Sequence, residues 1–286
     1  MKMKWLQLIV VPLLSSLLLS GLLPIHTLAG VNPPAERADL LETAEHWKEQ
    51  LAQQDQFQQW QAAKLSISAL GPGTHSWLAL VTYENEVIGY MIIHALEQGG
   101  YELGEYGVGD VASLQYLADN SNQLIYYGPF HSIIKQEIQQ TVQYIEPFLQ
   151  EAFPIDRTTI EQAAEHAAST KKGHGTYKVP ALITGADAVA YFSPYAVMPW
   201  LTTKPLNNRF EDDTSIEVMI ELGSKLRYTT ESWNHTIFSV YAITGYHEWN
   251  EFDLYIALQD ENESLTRFIP YEALMLQGSF YDQAAD

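Results

Sequence analysis

Two stretches of this chain are punctuated like antiparallel sheets, and they set the terms for everything around them. In the first, Leu65, Ile67 and Ala69 alternate with Ser66, Ser68 and Leu70, and Gly71-Pro72-Gly73 then turns the chain. His75 to Tyr83 reads as a strand, Glu84-Asn85-Glu86 as a hairpin loop and Val87 to His94 as a further strand. Gln98-Gly99-Gly100 is another turn signal, followed by Tyr101 to Tyr106. The second stretch repeats the plan with Thr236 to Tyr246, Glu251 to Gln259 and Leu265 to Ile269, and Asp260 to Ser264 forms a polar hairpin loop. A period near two, bounded by Gly, Pro and Asn, marks strands joined by tight turns. Strand runs alternating with helical patterns predict an α+β fold, here two antiparallel β-meanders each packed by helices.

The helical patterns are of several kinds. Leu40, Ala44, Trp47 and Leu51 recur at intervals of four, three and four, one face of an amphipathic helix. A short helix fits Asp110 to Leu117, and Gln123 to Tyr127 reads as an edge strand closed by Gly128-Pro129. From Ile134, residues Ile138, Val142, Ile145 and Leu149 follow at four, four, three and four, which predicts a second amphipathic helix ended by Pro154. Thr158 and Glu161 have the spacing of a capping box that opens a third. Tyr271 to Leu276 suggests a final helical turn. Lys171-Lys172-Gly173-His174-Gly175 has the composition of an exposed boundary. It divides the chain into an N-terminal α+β domain over residues 36–155 (helix, four-stranded meander, helix) and a C-terminal α+β domain over 176–286 that carries the second meander.

Ahead of both stretches, Lys2 and Lys4 precede an apolar run from Leu6 to Leu23, broken by Gln7, Pro12, Ser15, Ser16, Ser20 and Gly21. Thr27-Leu28-Ala29 supplies small residues at the right offsets for a peptidase, so residues 1–29 read as a secretory signal peptide cleaved after Ala29. The rival reading, an uncleaved anchor, needs about 20 apolar residues. The chain has no cysteine to accept a lipid. Export would leave residues 30–286 outside the cytoplasm with no stable membrane span. At 47% hydrophobic and 12% aromatic residues, the full chain is rich enough to bury a core. The 13 basic residues of the exported part, counted without Lys2 and Lys4, face 35 acidic ones for a charge of −22. Such a field repels phosphate backbones and anionic lipid, which argues against nucleic acid as a partner. A cysteine-free exported protein of this size relies on its core alone, as suits a Gram-positive secreted protein.

No motif names a reaction. His247-Glu248 opens a zincin pattern, but Glu251 stands where the second histidine is needed, and the segment reads as a strand end followed by a solvent-exposed turn containing Trp249. Asp260, Asn262 and Ser264 alternate oxygens as a calcium loop does, yet Leu265 and Tyr271 occupy the positions that require glycine and glutamate. No G-x-S-x-G elbow is present, and His75 after a glycine-rich turn is explained by the turn itself. No metal or cofactor is expected. Glu102 and Glu105, with His94 nearby, are the candidate catalytic set for acid–base work, although on a regular strand the two glutamates point to opposite faces. Aromatic residues crowd both meanders, and rigid rings suit recognition as well as packing.

The order of helix, strand, Trp77 to Tyr83, Val87-Ile88-Gly89-Tyr90-Met91-Ile92-Ile93 and Gly99-Gly100-Tyr101-Glu102-Leu103 resembles PepSY-like domains and the inhibitory propeptides of streptopain-type cysteine proteases of Gram-positive bacteria. The resemblance covers about residues 38–128. It implies a module that binds and inhibits a peptidase, or helps it fold, without chemistry of its own. No cysteine follows to serve as a streptopain-like nucleophile, so the partner is another molecule. The expected function is therefore that of a secreted non-catalytic binding protein, whose partner is an extracellular peptidase or an envelope component. The alternative is a secreted hydrolase of cell-wall or carbohydrate substrate that uses acidic residues. The apolar run Val87 to Ile93 with Gly89 suggests strand addition at a sheet edge, with Tyr90 and Tyr101 as the contact residues. The export reading predicts Gly30 as the first residue of secreted material. N-terminal sequencing checks it, and recovery only as a membrane-embedded full-length chain contradicts it.

Overall fold

The computed structural model describes residues 34–71, 75–138, 141–148, 150–162, 182–206, 215–262 and 264–283, with the backbone alone for 34–37. All of them belong to one compact unit, Asn32–Asp286. In chain order the elements begin with α1 (Pro34–Leu51), a 3-10 helix (Asp55–Ala62), β1 (Lys64–Ala69), β2 (Ser76–Tyr83), β3 (Glu86–Ala95) and β4 (Tyr101–Gly109). Next come α2 (Val111–Asp119), β5 (Leu124–Tyr126), β6 (Ser132–Ile138), β7 (Thr141–Ile145) and helical residues 157–162, here α3. The remainder comprises β8 (Ile183–Ala188), a 3-10 turn (Pro199–Leu201), α4 (Ile216–Glu221), β9 (Leu226–Ser232), β10 (Ile237–Trp249), β11 (Asp253–Gln259), β12 (Leu265–Pro270), α5 (Tyr271–Gln277) and β13 (Gly278–Asp282).

Both expected meanders are present, as β1–β4 and β10–β12, and the fold is α+β. They are not separate sheets. Ten strands form one antiparallel sheet in the order β1-β2-β3-β4-β12-β11-β10-β9-β13, with β8 beside the C-terminal half of β10. The join is β4 against β12, where Phe268 lies opposite Tyr106 and Arg267 opposite Gly107. The boundary expected at Lys171-Lys172 lies outside the described residues. The β2–β3 hairpin turns on Glu84 (φ 49°) and Asn85 (φ 71°), two successive left-handed residues whose twist matches that of the flanking strands.

α1 buries Leu40, Ala44, Trp47 and Leu51 against one face, as their spacing predicts, and Phe57 and Trp60 of the 3-10 helix extend that cover. Trp60 also explains Gly89. A Cβ at Gly89 would lie 2.3 Å from the Trp60 ring, so this glycine makes room for a core tryptophan. β3 is interior, paired with β2 on one side and β4 on the other, which removes the free edge that strand addition at Val87–Ile93 requires. The continuous apolar run reflects burial on both faces.

The opposite face is covered over β2–β4 by α2 and a second, three-stranded sheet β5-β6-β7, and over the C-terminal strands by α4 and α5. This small sheet corrects the helix expected from Ile134 to Leu149. Residues 132–138 and 141–145 pair as antiparallel strands in which Ile133 and Ile134 are buried while Ile138 and Val142 lie 46% and 42% exposed. The segment is dense in β-branched residues, which pack better on a pleated strand than around a helix. The cap of α3 is also shifted from expectation. Asp156, not Thr158, accepts from the Thr159 amide at 2.9 Å, and Glu161 pairs with Arg157 instead of reaching back.

Candidate functional site

Four of the five residues singled out in the sequence share one face of the first meander, because β4 carries a bulge. Ile92 lies opposite Glu105 and Ile93 opposite Leu103, so Gly104 is the extra residue. One inserted residue reverses the facing of all that follow. Glu105, opposite Ile92, and Glu102, opposite His94, therefore point the same way, contrary to the regular-strand expectation. Gly104 is needed there, since a Cβ on it would sit 2.3 Å from the His94 ring. Tyr90 shares this face. Tyr101 is on the other, packed edge-on to Trp77 at 5.6 Å.

Glu105 is fully buried, and both of its oxygens are engaged. Tyr90 donates to Oε1 at 2.8 Å, Tyr126 of β5 donates to Oε2 at 3.0 Å, and Arg267 of β12 reaches both through Nη2 at 3.1 and 2.9 Å. Arg267, 4% exposed, also donates to the Pro129 carbonyl, and its guanidinium lies 4.0 Å over the Phe148 ring. Burial opposes the charge on Arg267, but Glu105 together with Tyr90, Tyr241 and Glu146 outweighs it and holds the guanidinium pKa well above its ordinary value. Burial and then the Glu105 charge push the Tyr90 and Tyr126 phenols far up, so both remain hydrogen-bond donors. The space beside Arg267 between Phe148, Tyr241 and Leu258 measures about 10 Å³. One water needs about that much, and Glu105 itself has no exposed surface.

His94, half-buried, meets the Ser76 hydroxyl through Nδ1 at 2.7 Å, and its ring lies 5.6 Å from that of Tyr126. Ser76 is itself 2% exposed on β2. A polar recess of about 150 Å³ lies at the β10 bulge between Gln56, Thr244, Gln259 and Thr266. None of the five sequence candidates lines it.

His247 corrects a further expectation. It lies inside β10, 2% exposed, and Trp249 is wholly buried, so neither belongs to a solvent-exposed turn. Burial lowers the His247 pKa to about 3, which leaves the ring neutral. The Tyr106 hydroxyl accepts from Trp249 Nε1 at 3.1 Å and meets His247 Nδ1 at 2.9 Å, tying β4 to β10 across β12 and β11. Tyr90 and Tyr101 are 0% and 6% exposed, so neither ring is available to a partner.

An exposed apolar surface that sequence reasoning missed lies on residues 191–206. Tyr195, Val197, Met198 and Leu201 are 37%, 39%, 46% and 71% exposed, and Phe238 of β10 is 49% exposed. Trp200 joins them, 6.0 Å edge-on from Tyr195 and 6.3 Å from Phe238. The backbone beneath is pinned at three points. The buried Arg227 donates through Nε to the Pro194 carbonyl at 2.8 Å, Thr203 donates twice to the Pro199 carbonyl, and the Leu206 amide donates to Phe280 at 2.8 Å. The signal available was the pair Pro194 and Pro199 bracketing an apolar stretch between strands, where apolar residues have no sheet to enter.

Removing one member of a buried ion pair leaves the other uncompensated, which costs about 3–5 kcal/mol. Glu105→Gln and Arg267→Leu should each lower unfolding stability by that order in urea titrations, whereas Glu102→Gln should change it little. Unchanged stability in Glu105→Gln would contradict the structural role assigned to this carboxylate.

No family model matches the chain, and no curated protein matches it.

Proposed function

We propose that the exported chain is a non-catalytic binding protein that engages an extracellular peptidase or an envelope component through the surface made by residues 195–201 and Phe238. The observation that carries this reading is that surface. Large apolar side chains are held out to solvent on a backbone fixed by Arg227, Thr203 and Phe280, and clustered exposed apolar residues on a stiff support mark interaction sites. Glu105, the acid a hydrolase at the first meander would depend on, is enclosed with its oxygens occupied. The resemblance of residues 38–128 to peptidase-binding modules supports a peptidase as partner, although the proposed contact lies on another part of the chain.

The test pairs a turnover assay with a capture assay on residues 30–286. Casein, peptidoglycan and a neutral polysaccharide should show no turnover that depends on His94 or Glu102. Material captured from the producer's culture medium by the parent protein should be lost from a Leu201→Ser, Phe238→Ser variant. Turnover abolished by His94→Ala with Glu102→Gln overturns the reading, as does capture that survives in the patch variant.

A further inference from the structure

The exposed surface on residues 195–201 is bordered by carboxylates. Tyr195 stands next to the β11–β12 turn, where Tyr191 donates from its hydroxyl to the Glu261 carbonyl at 3.3 Å. The Tyr195 phenol pKa is raised by partial burial and then by the charges of Glu261 and Asp260, which places both acids within electrostatic reach of the ring. On the other side Phe238 lies directly opposite Glu231 in the β9–β10 ladder. Glu231 is half-exposed and carries His235 at 2.5 Å. Lys204, three residues beyond Leu201, is the basic side chain of this loop, and Arg227 is buried beneath it.

We propose that the occupant of this surface is a basic, apolar polypeptide segment of another protein: lysine or arginine side chains set beside aliphatic or aromatic ones. The proposal rests on the binding reading given above and adds the chemistry of the partner. Apolar side chains of the segment cover Met198, Trp200, Leu201 and Phe238, and its cations meet Glu231, Asp260 and Glu261 at the rim. An apolar centre with a charged border is the ordinary anatomy of a protein interface. The charge of the whole chain works in the same direction. At −20 it draws a cationic segment in and speeds encounter. The same charge opposes a second copy of this chain, whose patch carries the same acidic rim, and it opposes anionic lipid.

Fluorescence anisotropy of an amphipathic leucine–lysine peptide against residues 30–286 tests this directly, with a leucine–glutamate peptide as counterpart. The leucine–lysine peptide should bind, and Leu201→Ser with Phe238→Ser should weaken it roughly tenfold, the scale of losing a central apolar contact. Glu231→Gln with Glu261→Gln should weaken it several-fold, and the leucine–glutamate peptide should not bind. These positions are exposed, and an unchanged thermal midpoint confirms that each variant is folded. If capture from culture medium depends on Leu201 and Phe238 but the leucine–lysine peptide fails to bind, or binds the patch variant equally, the basic class is wrong and the binding reading stands. If neither depends on the patch, both fall. A parent dimer dissolved by the patch variant, or patch-dependent binding to phosphatidylcholine vesicles, identifies a different occupant and overturns the proposal.

Discussion

The buried pair of Glu105 and Arg267 is the constraint around which this sheet is arranged. The two residues are 162 positions apart in the chain and sit on the two strands, β4 and β12, that join one meander to the other. Two charges removed from water need close geometry and further hydrogen bonds. Tyr90 from β3, Tyr126 from β5 and the Pro129 carbonyl supply them, leaving only Nε of the buried guanidinium without a partner among the described residues, so the pair also dictates where the small sheet and the 128–130 turn must lie. On the opposite face the chain of Trp249, Tyr106 and His247 repeats the join with neutral groups, and the Tyr255 hydroxyl adds a bond to the Leu103 carbonyl at 2.5 Å. The seam is thus closed from both sides.

That closure separates two things that sequence patterns tend to merge. Acidic residues clustered near a histidine look like catalytic machinery, but here the central carboxylate is consumed in holding the sheet together. The exposed apolar side chains proposed as a contact lie elsewhere, on a loop pinned by Arg227, Thr203 and Phe280. A module of residues 38–128 alone, such as the proposed resemblance would require, would leave the outer edge of β4 open and Glu105 without its arginine, whereas in this chain β12 occupies that edge.

The strands of both meanders were legible because their turns are written in glycine, proline and asparagine, and because β2 and β3 are apolar on both faces. The helix α1 was legible because Leu40, Ala44, Trp47 and Leu51 all face one core. The pairing of β6 with β7 was not, since Ile138 and Val142 fall by coincidence on a four-residue spacing while projecting into solvent. The shared facing of Glu102 and Glu105 was beyond pattern reading, because a single unpaired residue at Gly104 reverses it. Arg267 did leave a trace. It interrupts Leu265 and Ile269 on the inward side of β12, and an arginine there requires a buried carboxylate. The loop at 191–206 was opaque because its order comes from Arg227 and Phe280, which only the tertiary fold brings near.

The central claim is that the two meanders form one cooperative sheet through the β4–β12 seam. Native-state amide hydrogen exchange on residues 30–286 tests it most directly, read at Tyr106 and Gly107 of β4 and at Arg267 and Phe268 of β12. Seam amides that open only with global unfolding, with the same free energy as the interior of β3 and β11, are the predicted result. Seam amides that open at distinctly lower free energy, with either meander retaining its own protection, would contradict it.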